Sequence, residues 1–150
     1  MGSFFAGLLP MGTPAPDFTL RDDSGSAVRL ADFKGRQPIT LVFYPMDETP
    51  GCRKQLCEIR DHWGEFAQRG VAVFGVNPGG AASHAKFRQN QRLPFPLLVD
   101  EGKKVARLYG ANGIVVRRTV YGIGKDGRIA FAESGKPEPS KVLAALTAEK

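Results

Sequence analysis

Cysteine is scarce in this chain, with two among 150 residues. That is too few to staple a secreted, core-poor scaffold, so a reducing cytoplasm is the expected setting. Histidine is equally scarce: His62 and His84 stand apart from each other and from both cysteines, and the cysteines are not spaced C-x-x-C. No metal site is expected from such a set. Long hydrophobic runs are absent; no stretch nears the roughly 20 apolar residues that cross a bilayer. The charge is +6, from 21 basic and 15 acidic residues, yet no basic run exceeds two. Phenylalanines sit inside apolar segments rather than between lysines and arginines, so the charge reads as a solvated surface with no nucleic-acid partner. Repeats and low-complexity tracts are missing too. The apolar opening, MGSFFAGLLPMG, lacks a basic start and a small-residue cleavage site. It reads as an arm, residues 1–14, that packs on a body formed by 15–150.

What the chain does have is the means to build one core. Hydrophobic residues are 42% and charged residues 24% of it, ordinary for a globular domain of this length. DFTL (17–20) and AVRL (27–30) alternate around RDDSGS, which predicts a β-hairpin. ITLVFY (39–44) is a continuous apolar run, as a buried central strand requires. Leu56, Ile59, Trp63 and Phe66 recur at helical spacing and predict one helix over 50–69, stopped by Gly70. VAVFGV (71–76) is a second buried strand. A polar helix over 81–92 turns Phe87 inward; a short strand at 96–100 and a short helix near 103–109 follow. RTVYGI (118–123) and RIAFAE (128–133) flank Lys125-Asp126-Gly127 as a second hairpin. A helix over 139–146, started by Ser140, closes the chain. This order predicts an α/β fold: a mixed central sheet, helices on both faces, and an N-terminal β-hairpin. The thioredoxin-like fold fits it, as do other small three-layer folds.

The chemistry lies in residues 45–57, PMDETPGCRKQLC. A buried strand ends at Tyr44-Pro45. Thr49 suits a helix N-cap and Pro50 the first helical position. Cys52 then falls in the first turn, among backbone N–H groups that lack partners and at the positive end of the helix dipole. A free thiol titrates near ~8.5, so ionising it at pH about 6 takes ~3.4 kcal/mol of preference for the thiolate. A helix N-terminus supplies about 0.3–1 kcal/mol, and ~2 at most. The Thr49 hydroxyl and an arginine from elsewhere would have to supply the rest.

Cys57 is five residues on. On an ideal helix that is a rise of about 7.5 Å and a turn ~140° past one revolution, which puts the Cα atoms about 8.6 Å apart. A disulfide needs about 7 Å or less. On one intact helix the pair cannot bond; a bond requires local unwinding. Two blander readings compete: both cysteines as small core residues, and Cys57 alone as one, beside Leu56.

At these residues the chain resembles the peroxiredoxins. Pro45-x-x-x-Thr49-x-x-Cys52 matches their active-site pattern. TPGC, four residues, Cys57 and then Ile59-Arg60-Asp61 resemble the peroxiredoxin Q or bacterioferritin comigratory protein subfamily, over most of the chain from PAPDFTL onward. The resemblance implies a thioredoxin-like fold and a thiol-dependent peroxidase acting on hydrogen peroxide and organic hydroperoxides, with no metal, haem or flavin. It implies Cys52 as the peroxidatic nucleophile and Cys57 as the resolving thiol of an atypical two-cysteine cycle. Pro45 would shield the sulfur, and Thr49 would hydrogen-bond it and orient the peroxide. It also implies an arginine on a later strand. Counting back from the Asp126-Gly127 turn selects Arg118 over Arg117, which points the other way in an extended segment. Thioredoxin or a similar dithiol would restore the thiols, and the chain would act as a monomer or weak homodimer. Three stretches depart from the subfamily pattern: Arg53 and Gln55 between the cysteines, NPGGAASH after Val76, and GANGIVVR before Arg118. Two other classes stay open. A thiol-disulfide oxidoreductase would use the same fold but lacks its C-x-x-C here, and a non-enzymatic binding or holdase module would draw on the apolar arm.

Overall fold

Continuous runs of β-branched and aromatic residues form the middle of the molecule, as they must where a strand has no solvent face. The computed structural model describes residues 7–147 and, at Cys52, the backbone alone. β3 (Ile39–Phe43) is buried at every position and pairs in parallel with β4 (Ala72–Asn77) and antiparallel with β6 (Thr119–Ile123). The seven-stranded sheet runs β2-β1-β5-β4-β3-β6-β7. β1 (Thr19–Asp22) and β2 (Ala27–Arg29) form the expected N-terminal hairpin, with Leu20 opposite Val28. β6 and β7 (Ile129–Ser134) form the second, with Gly127 at φ +83° in its turn. β5 (Leu97–Val99) joins the hairpin at one edge to the parallel centre.

Two apolar layers cover the sheet. One gathers Leu56 and Ile59 of α1 (Pro50–Asp61), Phe66 of α2 (Trp63–Gln68), Phe87 of α3 (Ala81–Gln91), and Val142, Leu143 and Leu146 of α5 (Pro139–Thr147) against Val42, Val73 and Leu97. The other packs Val105 and Ala106 of α4 (Lys104–Leu108) with Phe18, Tyr109 and Tyr121 against Leu41, Phe43 and Val76. Each fully buried Leu or Phe contributes about 1.5–3 kcal/mol, so these layers dominate stability. Helices lie on both faces, as the sequence predicts, and the fold is thioredoxin-like.

Two boundaries differ from the sequence reading. The single helix over 50–69 is two, parted at His62 (φ −107°, ψ 16°). Here the imidazole Nδ1 lies 2.9 Å from the Glu58 carbonyl oxygen and the His62 N–H turns to Ile59 O, so the ladder closes locally instead of running on. The apolar spacing continues across the break, which hides it. The last helix starts at Pro139, with Ser140 inside its first turn rather than before it.

The first six residues lie outside the described part. The rest of the N-terminal segment is tied down: Leu9 N–H donates to the Tyr121 hydroxyl, Gly12 N–H to Ile129 O, and Ala15 N–H to Gly127 O. Among the described residues no helix is long and apolar enough to cross a membrane.

Candidate active site

β3 delivers the chain to the carboxyl end of the parallel strands, where open α/β sheets place their sites. Pro45, Met46, Asp47, Glu48 and Thr49 bridge β3 to α1. Glu48 sits at φ +66°, an uncommon conformation for a residue with a side chain. Thr49 is the N-cap by backbone (φ −77°, ψ 151°), and its carbonyl accepts from Arg53 N–H. Its hydroxyl makes no capping bond; it donates back to Met46 O at 3.3 Å. That corrects the capping role expected of the side chain. Pro50 follows at the start of the helix, where its missing N–H costs nothing.

Gly51 is where a long-range partner arrives. A Cβ built on it would lie 3.1 Å from Arg118 Nη2 and 3.7 Å from Cζ. The absence of a side chain lets the guanidinium rest on the first turn of α1, one residue before Cys52. Arg118 reaches it from just before β6. Its Nη1 donates to Gln55 Oε1 at 3.1 Å, and Gln55 Nε2 donates to Gly135 O at 3.2 Å. Gly135 N–H returns to Arg118 O at 2.8 Å, closing a ring of contacts. Gly135 sits at φ +92°, past the end of β7, a geometry glycine accepts without strain. Gln55 is buried and lies three residues after Cys52, on the same side of the helix. Sequence reading noted Gln55 only as a departure from pattern. Its signal was a polar side chain next to the apolar stripe that begins at Leu56. Arg117 takes a different course: it is exposed, its N–H donates to Ala111 O, and its side chain lies by Gly113. Arg53 is exposed.

The two cysteines share α1, which runs unbroken from Pro50 to Asp61. On such a helix the Cα atoms stand about 8.6 Å apart, beyond the roughly 7 Å that a disulfide spans. The Cys52 side chain lies outside the described part. Cys57 is a free thiol, half-buried against the layer that contains Leu56 and Phe66, with its Sγ 3.5 Å from Gln91 Oε1. Burial pushes the Cys57 thiol above its ordinary range, aided by Asp61 and opposed by Arg60 and Arg53.

On the other side of the loop lies a contact that the sequence hides. His84, read as isolated, is fully buried and pairs with Asp47: Nδ1 is 2.7 Å from Oδ2. Burial works against the His84 charge, but the Asp47 hydrogen bond and charge outweigh it and raise the imidazole's pKa. Burial also works against Asp47 ionising, yet hydrogen bonds from His84, Ser83 and Tyr44 hold its carboxyl below the usual range. Among the described residues no three His, Cys, Asp or Glu side chains converge to hold a metal ion.

The comparisons with known proteins point to one family. Residues 11–132 match the model of the AhpC/TSA family. Peroxiredoxin Q of Oryza sativa subsp. japonica, described as chloroplastic, is 42% identical over 139 residues, 90% of this chain and 64% of the relative. Peroxiredoxin Bcp of Bacillus subtilis is 37% identical over 130 residues, 81% of this chain and 82% of the relative. The crystal structure of peroxidoxin BcpB from Mycobacterium tuberculosis superimposes with a TM-score of 0.87 at 32% identity, covering 95% of this chain and 99% of that one. The chain spans a little under two thirds of the length of the rice relative. With a family match over most of its length and relatives named peroxiredoxin Q and Bcp on either side, the chain belongs to the AhpC/TSA family.

Proposed function

We propose that the chain is a thiol-dependent peroxidase that reduces hydrogen peroxide and organic hydroperoxides through Cys52. The observation that carries the reading is the Arg118 guanidinium lying on Gly51, at the positive end of α1 and one residue from Cys52. A fixed cation and a helix N-terminus both favour a thiolate there. The Cys52 thiolate attacks one peroxide oxygen; the S–O bond forms as the O–O bond breaks. The leaving oxygen gains negative charge, which Arg118, backbone N–H groups of the first turn and the Thr49 hydroxyl, once rotated away from Met46 O, stabilise more in the transition state than before it. That oxygen takes a proton and departs as water or an alcohol, leaving Cys52 as a sulfenic acid. Pro45 limits water at the sulfur.

Resolution by Cys57 requires the intact helix to open. The α1 helix unwinds, the Cys57 sulfur attacks Cys52, a disulfide forms and water leaves. An external dithiol such as thioredoxin then reduces the disulfide by exchange and is itself oxidised. Both sulfurs belong to one chain, so the cycle needs no second copy, which suits a monomer or weak homodimer. The position three after Cys52, where a C-x-x-C oxidoreductase keeps its second thiol, is Gln55, bonded to Arg118. That favours the peroxidase over the oxidoreductase.

Mass spectrometry after one equivalent of peroxide tests the reading. The wild type is expected to hold an internal Cys52–Cys57 disulfide, and Cys57→Ser a sulfenic or more oxidised Cys52. Free thiols persisting in both proteins would end the peroxidase reading; sulfenic acid without disulfide in the wild type would end only the resolving role.

A further inference from the structure

Asp47 stands midway between Pro45 and Thr49, and both of its carboxylate oxygens accept hydrogen bonds. Tyr44 donates its hydroxyl to Oδ1 at 2.7 Å; Ser83 Oγ and His84 Nδ1 each donate to Oδ2 at 2.7 Å. The other ring nitrogen of His84 faces only acceptors, Asn77 O at 3.1 Å and Leu98 O at 3.0 Å. A ring nitrogen among acceptors carries a proton. Both do here, so the buried ring is an imidazolium held by a carboxylate. The loop is gripped at two more points. Asn77 Nδ2 donates to Tyr44 O at 2.9 Å, and Asn90 Nδ2 to Glu48 Oε2 at 2.8 Å. Glu48, next to Asp47, is the loop residue with positive φ, a conformation that persists only where the surroundings impose it. Packing is tight: a Cβ on Gly79 would meet Asn77 Oδ1 at 2.9 Å and His84 Cε1 at 3.3 Å.

None of these groups takes part in the peroxidase cycle, and all of them bear on the loop that carries Pro45 and Thr49. We infer that Asp47 and His84 are positioning residues: their ion pair clamps the Pro45–Thr49 loop to α3 in the conformation that receives peroxide. The inference rests on the peroxidase reading. It makes a directional claim, because the two halves of the cycle need opposite things. Oxidation of Cys52 needs the loop and the first turn of α1 in place. Disulfide formation needs α1 unwound. Releasing the clamp therefore slows the first step and spares or speeds the second, whereas a general loss of stability has no reason to slow the first.

The test is rapid-quench mass spectrometry with hydrogen peroxide on the full chain, resolving the rate of Cys52 oxidation from the rate of disulfide formation. Asp47→Asn keeps the size of the side chain and removes its charge. It is expected to oxidise about 30-fold more slowly, since misplacing reacting groups by about 1 Å costs up to 10²-fold, and to form the disulfide at least as fast as the wild type. Leu143→Ala, in the core under α5 and far along the chain from the loop, is the control for stability, with an oxidation rate within about two-fold of wild type. Should Asp47→Asn fail to fold, Ser83→Ala removes one of the three donors at an exposed position, and a fall of about 3-fold is expected. Oxidation of either variant at the wild-type rate overturns the clamp, as does a parallel fall in both rates. A wild type that leaves its thiols untouched takes down the peroxidase reading and the clamp with it; an unaffected variant beside a reactive wild type takes down the clamp alone.

Discussion

Two polar assemblies flank the start of α1, and they are built differently, one around a neutral amide and the other around an ion pair. Arg118 is steadied by Gln55, an uncharged amide, and Gln55 by a backbone carbonyl. That bond holds the guanidinium through a neutral partner. Asp47 and His84 neutralise each other, and the remaining lone pairs and protons go to Tyr44, Ser83 and two carbonyls. On the proposed reading, the first bond orients a cation toward the reacting sulfur, while the ion pair of the second holds a loop. Burial is consistent with this: the His84 side chain is 0% exposed and that of Asp47 6%, while Arg118 is only half-buried.

The sharpest way to break the contrast is through Arg118. Arg118→Ala is expected to slow peroxide-driven oxidation of Cys52 about 100-fold, the scale of losing one preorganised charge at a reacting oxygen. Gln55→Leu removes the amide oxygen to which Arg118 Nη1 donates, and a loss of about 10-fold is expected. Stopped-flow oxidation rates at fixed pH measure both. Equal rates for Gln55→Leu and wild type would mean that the position of Arg118 does not depend on Gln55.

His84 separates the assemblies by pH. Its folded pKa is raised above 6.5, so its stabilisation is complete below that value and is lost as pH rises through the raised one. Asp47 is depressed below 3.8; its stabilisation holds above that value and is lost as pH falls through the depressed one. The wild type should therefore be steadiest on the weakly acid side of neutrality. Cys57 adds a separate alkaline limb only above the ordinary thiol range, because burial disfavours its thiolate. His84→Gln is expected to destabilise the protein by on the order of 3 kcal/mol at pH 6 and to flatten the limb between neutrality and pH 9. Urea midpoints measured across that range would show it. An unchanged limb in His84→Gln would place the titrating group elsewhere.

Much of this was legible in the chain because it is local. Pro45, Thr49 and Cys52 lie within eight residues at a strand-to-helix junction, and the apolar runs of β3 and β4 announce the sheet. Arg118 came from family resemblance and a count back from a turn. The clamp was not legible. Asp47 and His84 are 37 residues apart, and each alone looks like a solvated polar residue. Only the parallel register of β3 on β4, Phe43 beside Val76, brings the loop after one strand to the helix after the other. The break at His62 was hidden for the opposite reason: the apolar spacing of Ile59, Trp63 and Phe66 satisfies the core with or without it. The Thr49 side chain shows a third limit, since the residue type and backbone fit a cap while the hydroxyl turns to Met46.

The smallest expected effect is also the one that tests both properties of the first turn at once. Gly51 does not have positive φ, so alanine can adopt its backbone, and removing a glycine from a helix favours folding by up to about 1 kcal/mol. The new methyl would stand 3.1 Å from Arg118 Nη2, closer than ordinary contact. The guanidinium must shift by a few tenths of an ångström, against its bond to Gln55. Gly51→Ala should therefore melt at a higher temperature and oxidise about 3-fold more slowly. A rise in both stability and rate would show that Arg118 does not need its seat on the helix. A fall in both would show that glycine at 51 serves the fold rather than the chemistry.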